Sequence, residues 1–129
     1  SYDFVGNDGP VFFFVTDLDA PRSRLIAIDT ANPTRANWRE LIPQGDATLQ
    51  GANIVGGQFV VSYLRDARSE VKLFALDGRP AKTLELPGIG SAGGFGGRRA
   101  DTETFYSFTS FTVPGFIYRY DFTTGRSTV

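Results

Sequence analysis

One unit occurs three times in this sequence, with equivalent aspartates 48 and 44 residues apart, and the repeat constrains the fold more than any other feature. The copies span about residues 1–43, 47–87 and 89–129. Each holds a Gly-broken first strand, an apolar second strand, a charged or Pro-containing loop, an alternating third strand, an Asp-led turn and a short fourth strand. The aspartates that open these turns are Asp29, Asp77 and Asp121.

Turn residues stand at matching places in the three units. Asn7-Asp8-Gly9, Gly56-Gly57 and Gly96-Gly97 offer positions that accept positive φ, which predicts a tight reversal between first and second strands. Asp77-Gly78 predicts a two-residue hairpin between the third and fourth strands of the second unit. The repeat therefore extends to the turn chemistry.

The strand patterns indicate packed sheets. "VFFFV" and "QFVVSY" are apolar on both faces, as in a strand covered on both sides, whereas "RLIAID" alternates. Four antiparallel strands at this repeat length are typical of a β-propeller blade. We predict an all-β fold, a partial β-propeller of three four-stranded antiparallel blades, with a β-sandwich as the alternative. Three blades do not close a ring and the first residue is Ser, so we expect a piece of a longer protein.

The residues that are absent exclude several chemistries. The chain has no Cys and no His, so it cannot form a disulfide, a thiolate site, an imidazole metal site or a Ser-His-Asp triad by itself. Its net charge is −1, which does not support binding to nucleic acid. No apolar run is long enough for a membrane helix. We therefore expect no catalytic, cofactor-binding or metal-binding residue.

The stretch "GIGSAGGFGG", Gly88 to Gly97, resembles two functional motifs. It contains G-x-G-x-x-G, but no helix follows to bind a phosphate. A serine nucleophile elbow needs Gly two residues before Ser91, where Ile89 stands. We interpret the stretch as a first strand and its turn, with small residues that relieve crowding near a propeller axis.

Charged residues cluster in the loops between second and third strands. Asp17, Asp19 and Asp66 raise the possibility of a paired-carboxylate site, although solvated ion pairs are commoner there. A third interpretation is that these loops face another domain. Its candidate residues are Asp19, Arg22, Arg65, Asp66 and Arg68.

The aromatic segments have a structural interpretation. "FYSF" and "FIYRY" could stack on nucleic-acid bases, but without a basic groove we expect them in the core between blades. Trp38 is expected to begin the fourth strand "WRELI" and to pack against blade edges. Arg98-Arg99 is expected to be a solvated turn pair.

Four segments carry a resemblance to a known family: "VTDLDAPRSRLIAID", "SYLRDARSEVKLFALDG", "LPGIGSAGGF" and "DTETFYSFTSFTVPGFIYRYD". They closely resemble the prolyl oligopeptidase (prolyl endopeptidase) family, in the same order and over nearly the whole chain. The stretch from Asp101 to Gly115 is the most specific. The resemblance falls on the last three blades of that family's seven-bladed propeller.

The resemblance implies a function for a parent protein, a serine endopeptidase that cleaves after proline in short peptides. In that family an α/β-hydrolase domain carries the triad, and the propeller covers the active site and filters substrates by size. None of the triad maps onto this sequence, so the chain is expected to be a non-catalytic scaffold and gate. Its partners would be the hydrolase domain and short proline-containing peptides, in the cytoplasm or, alternatively, the periplasm.

Two other functions stay open at this point. A stand-alone propeller could bind a partner protein through its loops, and a free-standing enzyme could use paired carboxylates. Because three blades leave two apolar sheet faces uncovered, we also expect the chain to form a homo-oligomer.

Overall fold

The computed structural model describes residues 2–97, 101–110, 112 and 115–129, where twelve β-strands and one short 3₁₀ turn, Arg35–Asn37, form. The first sheet holds β1 (Tyr2–Asp8), β2 (Val11–Thr16), β3 (Arg24–Asp29) and β4 (Arg39–Ile42). The second holds β5 (Thr48–Val55), β6 (Gln58–Arg65), β7 (Arg68–Ala75) and β8 (Pro80–Leu84). The third holds β9 (Ser91–Gly96), β10 (Glu103–Thr109), β11 (Phe116–Asp121) and β12 (Arg126–Thr128).

Each sheet follows chain order, and every strand pairing within it is antiparallel. The prediction of three four-stranded antiparallel blades is confirmed. The sheets pack face to face in sequence, first on second and second on third, rather than as the two layers of a sandwich. We call the face of a sheet that is turned toward the next sheet along the chain its second face, and the opposite face its first face. In the second and third sheets the first face is thus the one that packs on the preceding sheet, and in the third sheet the second face is the one turned away from it.

The interface between the first and second sheets forms one core. Phe13 and Leu25 extend from the second face of the first sheet, and Phe59 and Val61 from the first face of the second. The rings of Phe13 and Phe59 meet edge to face with centroids 4.9 Å apart. The buried members of this first interface are Phe13, Val15, Leu25, Ala27, Ile42, Ala47, Leu49, Phe59, Val61, Tyr63 and Phe74.

A second interface joins the second and third sheets. The second sheet contributes aliphatic side chains such as Val60 and Leu73, and the third contributes aromatic ones. Its buried members are Val55, Val60, Val71, Leu73, Leu84, Phe95, Tyr106, Phe108 and Tyr120. The expectation that "FYSF" and "FIYRY" lie between blades is thus confirmed for Tyr106, Phe108 and Tyr120, whereas Phe105 and Ile117 are exposed.

The second sheet is covered on both faces. Phe59 and Val60 are neighbours on β6 with side chains on opposite faces, and both are buried. This confirms the interpretation of "QFVVSY". The strand "VFFFV" is covered on one face only, because Phe13 is buried while Phe12 and Phe14 lie beside the exposed ring of Phe4.

Three predicted turns differ in outcome. Gly9, Gly56 and Gly57 adopt positive φ in tight reversals, as predicted. The reversal at Gly96-Gly97 is not tight, because β9 ends at Gly96 and β10 begins only at Glu103. A Cβ at Gly97 would lie 2.8 Å from Val55 Cγ1, so this backbone packs against the second sheet instead of turning at once. The predicted turn pair Arg98-Arg99 lies outside the described residues.

The hairpin at Asp77-Gly78 has a three-residue loop, not the predicted two. The amide of Gly78 donates to the carbonyl of Ala75 at 2.9 Å, and the amide of Ala75 donates to the carbonyl of Arg79 at 2.9 Å. With Gly78 at φ 93°, this is a type I turn followed by a bulge. Asp-Gly therefore signalled the hairpin but not its length.

The three Asp-led turns share one interaction. Asp29 Oδ1 accepts from the amide of Ala31 at 3.0 Å, and Asp77 Oδ1 from that of Arg79 at 3.0 Å. Asp121 Oδ1 accepts from the amide of Thr123 at 2.7 Å. Each carboxylate thus caps its own turn two residues on, which is why this residue type recurs.

The first strand of every sheet pairs irregularly with its neighbour. Register shifts fall between Phe4 and Gly6, between Leu49 and Gly51, and opposite the β9 segment 93–96. A Cβ at Gly6 would lie 2.9 Å from Ile54 Cδ1 of the next sheet, which supports the crowding interpretation there. Within the stretch Gly88 to Gly97 the interpretation holds at Gly90 and Gly97, where a Cβ would collide with Thr109 and Val55, but at Gly88 and Gly93 a Cβ would meet no atom within 4 Å.

Trp38 lies just before its strand rather than in it. The 3₁₀ turn delays β4 until Arg39, and Trp38 Nε1 donates to the carbonyl of Pro33 at 2.9 Å. Its ring meets that of Tyr2 edge to face at 6.1 Å, over the first face of the first sheet. The predicted strand start was therefore one residue early.

Candidate functional site

One end of the sheets gathers the loops that the sequence singled out. Strand direction alternates, so loops between second and third strands emerge at the same end as the segments that join one sheet to the next. Two hydrogen bonds link neighbouring sheets at this end: the amide of Leu49 donates to the carbonyl of Arg22 at 2.9 Å, and the amide of Ser69 donates to the carbonyl of Gly90 at 2.8 Å. We call this end the loop face.

The loop between β2 and β3 of the first sheet, residues 17–23, lies on this face and holds Asp19 and Arg22. We call it the blade 1 loop. Asp19 adopts φ 55° and its carboxylate accepts from Arg35 at 2.9 Å, with both side chains largely exposed. The amide of Arg22 donates to Gln44 Oε1, 3.2 Å away in the segment that leads to the second sheet. The loop is thus tied to the sheet junction through its backbone, which leaves the predicted charges at the surface.

The loop between β6 and β7 of the second sheet, the blade 2 loop, is a two-residue turn formed by Asp66 and Ala67, which is an unusual sequence for such a turn. Arg65 pairs with Arg68 across it, and Asp66 and Ala67 adopt φ 50° and 63°. Turns of this kind favour Asn-Gly because both central residues need positive φ, and an L-residue other than Asn or Asp is strained there. No glycine marked this turn, so the sequence did not predict its tightness.

An ion pair supports one side of this hairpin. Arg65 Nε donates to Glu70 Oε1 at 2.8 Å, with about a third of each side chain exposed. This hydrogen bond lowers the pKa of the Glu70 carboxyl and raises the pKa of the Arg65 guanidinium. Glu70 is therefore held ionised, which suits a structural pair and not a catalytic acid.

A concavity of about 800 Å³ opens beside the hairpin, between the second and third sheets. Asp66, Ala67 and Arg68 line one side, and Ile89, Gly90 and Ser110 are among the residues on the other. Ile89 is 71 % exposed at this place. A Cβ on Gly90 would collide with the carbonyl oxygen of Thr109, so only glycine allows the two segments to approach.

The structure brings together only some of the five loop residues that were predicted to face another domain. Asp66 and Arg68 line the concavity, whereas Asp19 and Arg22 lie on the blade 1 loop of the same face. Sequence reasoning missed Ile89, Gly90, Thr109 and Ser110 as lining residues. Ile89 and Gly90 lie in the Gly-rich stretch, which resembles a phosphate motif, and Thr109 and Ser110 lie in the segment Asp101 to Gly115 that carries the family resemblance.

The other motifs do not form a reactive site in the described part of the chain. Gly88 to Gly97 forms a loop and strand β9, with no helix after it, so the phosphate-loop interpretation fails. Asp17 and Asp66 belong to loops of different sheets. A hydrogen bond from the Arg79 amide lowers the pKa of Asp77, the opposite of what a general acid needs. Among the described residues no three acidic side chains are placed to share a metal ion.

The chain matches one family model over its full length. The model, described as prolyl oligopeptidase, N-terminal beta-propeller domain, covers residues 1–129. The prolyl endopeptidase of Elizabethkingia meningoseptica is 37 % identical over 122 residues, which is 95 % of this chain and 17 % of that protein. Prolyl oligopeptidase A of Galerina marginata is 34 % identical over 95 % of this chain and 16 % of its own length.

Solved structures agree with the sequence matches. A prolyl endopeptidase structure superposes with a TM-score of 0.92 at 40 % identity, over 98 % of this chain and 19 % of that one. Prolyl oligopeptidase B of Galerina marginata, bound to a 35mer substrate, gives a TM-score of 0.87 at 31 % identity over 99 % and 18 %. The chain thus spans less than a fifth of these relatives. In the described ranges no helix has the length and apolarity to cross a membrane.

Proposed function

The chain belongs to the prolyl oligopeptidase family, as part of its N-terminal β-propeller, and from this premise we propose that it serves as a non-catalytic segment of an enzyme that cleaves after proline in short peptides. The observation that carries the proposal is the family match over residues 1–129, together with 37 % identity to a prolyl endopeptidase. The absence of His supports a non-catalytic role, because the triad of such an enzyme needs one.

In this proposal the segment acts as a scaffold and a substrate-size gate. Three packed sheets with two buried interfaces give a rigid wall, which can exclude a folded protein from a site that it covers. The partners are the α/β-hydrolase domain of the parent protein and short proline-containing peptides. The parent protein would act in the cytoplasm, which cell fractionation would test.

The loop face is the proposed contact with the hydrolase domain. It presents the charges of Asp19, Arg22, Arg65, Asp66 and Arg68. It also presents the exposed side chain of Ile89 beside the 800 Å³ concavity. Interfaces between domains of one chain are more polar than obligate interfaces, and this mixture of charges with one apolar side chain fits that composition.

Charge reversal in the full-length protein tests this contact. Arg68→Glu should loosen the docking and raise the rate of cleavage of a large unfolded protein relative to that of a short proline peptide. Arg79→Glu is the matched control, since Arg79 lies in the β7–β8 turn at the opposite end of the sheet. If the ratio of the two cleavage rates were the same in Arg68→Glu and Arg79→Glu, the assignment of the loop face as the domain contact would be contradicted.

The 129-residue chain alone should hydrolyse no proline-containing chromogenic peptide. Turnover that survives purification would overturn the non-catalytic assignment. The downstream reading frame provides a second test: a hydrolase domain with Ser, Asp and His supports the proposal, and its absence favours the stand-alone interaction module. The observation that favours this second candidate is the open concavity on the loop face.

We also propose that the chain self-associates. The first face of the first sheet and the second face of the third sheet have no sheet packed on them within the described part of the chain. Large apolar side chains on these faces are exposed, among them Phe4 and Ile117. Sedimentation of the purified chain at micromolar concentration tests this, and a monomer would refute it.

A further inference from the structure

A second hollow, a groove of about 380 Å³, lies where the first and second sheets meet. One wall is the segment 41–47, which contains the end of β4 and the connection to β5. The other wall is formed by side chains of β6 and β7, together with Gly78 and Pro80. Both walls belong to sheets that pack on each other, so the groove does not depend on what covers the outer faces of the first and third sheets. We call it the junction groove.

The local sequence explains the apolar part of this groove. Strand β4 ends at Ile42, and Pro43 has no amide hydrogen with which to extend the pairing, so the chain leaves the sheet until β5 begins at Thr48. Ile42 and Phe74 line the groove and are only 3 % and 8 % exposed. Pro43 and Pro80 line it as well. An apolar body can therefore be accommodated here.

A buried tyrosine adds a polar atom to the junction groove. Tyr63 lines the groove and is 6 % exposed, and its hydroxyl makes no hydrogen bond with any described residue. The hydroxyl is not sealed from solvent either, so it opens onto the groove. Burial raises the pKa of Tyr63 to about 12, which keeps its proton in place at neutral pH. The phenol is thus a hydrogen-bond donor without an acceptor in the described part of the chain.

A lysine lies beside the tyrosine ring. Lys72 Nζ is 5.3 Å from the centroid of the Tyr63 ring, and Lys72 also lines the groove. Lys72 pairs with Val61, two residues before Tyr63 on β6, so both side chains lie on the first face of the second sheet. Arg65, another cation of the groove, donates to Glu70 at 2.8 Å. Lys72 has no ion-pair partner among the described residues, so its ammonium is available to an anion.

We propose that the junction groove binds a small monocarboxylate with an apolar body, whose carboxylate accepts hydrogen bonds from the Lys72 ammonium and the Tyr63 hydroxyl. Two carboxylate oxygens match these two donors, and one negative charge matches the unpaired ammonium in the described groove. Asp46 also lines the groove, but it interacts electrostatically with Arg65. The volume of 380 Å³ is within the about 300–1,000 Å³ that is typical of ligand pockets. This site is independent of the proposed function, so either proposal can fail while the other stands.

Titration of the full-length protein with para-fluorophenylacetate, followed by fluorine NMR, tests the site. Binding should saturate with a dissociation constant of about 1 mM, the affinity expected of so small a ligand. The neutral para-fluorophenylacetamide has nearly the same shape and should bind at least about tenfold more weakly, because it lacks the charge. Binding that does not saturate, or equal binding of the two compounds, would overturn the proposal.

Single substitutions locate the binding in the groove. Lys72→Gln and Tyr63→Phe should each weaken binding of para-fluorophenylacetate by about tenfold or more, because each removes one hydrogen bond to a charged group. Circular dichroism checks that both variants fold. Lys82→Gln is the matched control, since Lys82 pairs with Leu73 and so lies on the second face of the same sheet, and its affinity should equal that of wild type. Wild-type affinity in either groove variant would show that the compound binds elsewhere and would refute the site.

Discussion

The two interfaces between sheets occupy equivalent places but differ in chemistry. The first combines aliphatic side chains with an edge-to-face contact between Phe13 and Phe59. In the second, the rings of Phe95, Tyr106 and Tyr118 stack at 4.9 and 5.4 Å. Strand alternation decides which residues enter an interface, whereas their volume and polarity can vary as long as the space is filled.

The largest expected effect tests whether the two interfaces contribute equally to the free energy of unfolding. Phe59→Ala and Phe108→Ala each remove a ring that is fully buried in one interface. Each should lower the free energy of unfolding by about 3–5 kcal/mol, measured by urea denaturation. Phe105→Ala is the control, because its exposed ring should contribute within about 1 kcal/mol. A small loss for only one buried ring would show that its interface is dispensable.

Alkaline pH tests the first interface through Tyr63, although burial also raises the pKa of Tyr106 and Tyr120 in the second. Burial raises the pKa of Tyr63 to about 12. The folded state then holds this proton more tightly than the unfolded state, so the stabilisation is present below about pH 10 and is lost as pH rises toward 12. The loss should reach about 2–3 kcal/mol, seen as a fall in unfolding free energy. Tyr63→Phe should reduce this fall, and an unchanged pH profile in the variant would contradict the cause.

A glycine comparison tests close approach between sheets. Gly56 adopts φ 62°, and a Cβ there would lie 2.6 Å from the carbonyl oxygen of Asp101 in the third sheet's loop. Gly56→Ala should cost at least about 1–2 kcal/mol by thermal unfolding. Gly6→Ala at the first interface meets only the adaptable end of the Ile54 side chain, so its stability should stay within about 1 kcal/mol of wild type. Equal losses would argue against backbone contact as the reason.

The smallest expected effect concerns a hydroxyl in the second interface. Tyr106 Oη donates to Ser127 Oγ at 2.7 Å, which ties β10 to β12. Tyr106→Phe should lower the unfolding free energy by about 1 kcal/mol at neutral pH. Ser127→Ala should lower it by a similar amount, and the double variant should lose no more than either one. Additive losses would mean that the two groups do not act as a pair.

Two tight turns of the second sheet show what could be predicted from the sequence: the one at Gly56-Gly57 was predicted, and the one at Asp66-Ala67 was not. Gly56-Gly57 formed a tight turn because positive φ depends on two residues only. Asp66-Ala67 formed one as well, although neither is glycine, because β6 and β7 are paired as far as Arg65 and Arg68. The first case is local, and the second is imposed by the sheet.

The candidate site was only partly predictable for the same reason. Asp66 and Arg68 were recognisable as loop charges, but the concavity beside them also depends on Ile89 and Gly90, more than twenty residues farther along. Their approach is set by contact between sheets, which no local pattern encodes. The five candidate residues remain predictions until the domain contact is measured.

The sequence by itself determined the three repeated units, the alternation of their strands and the Asp-capped turns, because these depend on residues close together in the chain. Only the tertiary structure decided which faces are buried, where the third reversal lengthens and which loops enclose the concavity. Those features arise from side chains and backbone that meet across sheets, so they depend on the packing of distant segments.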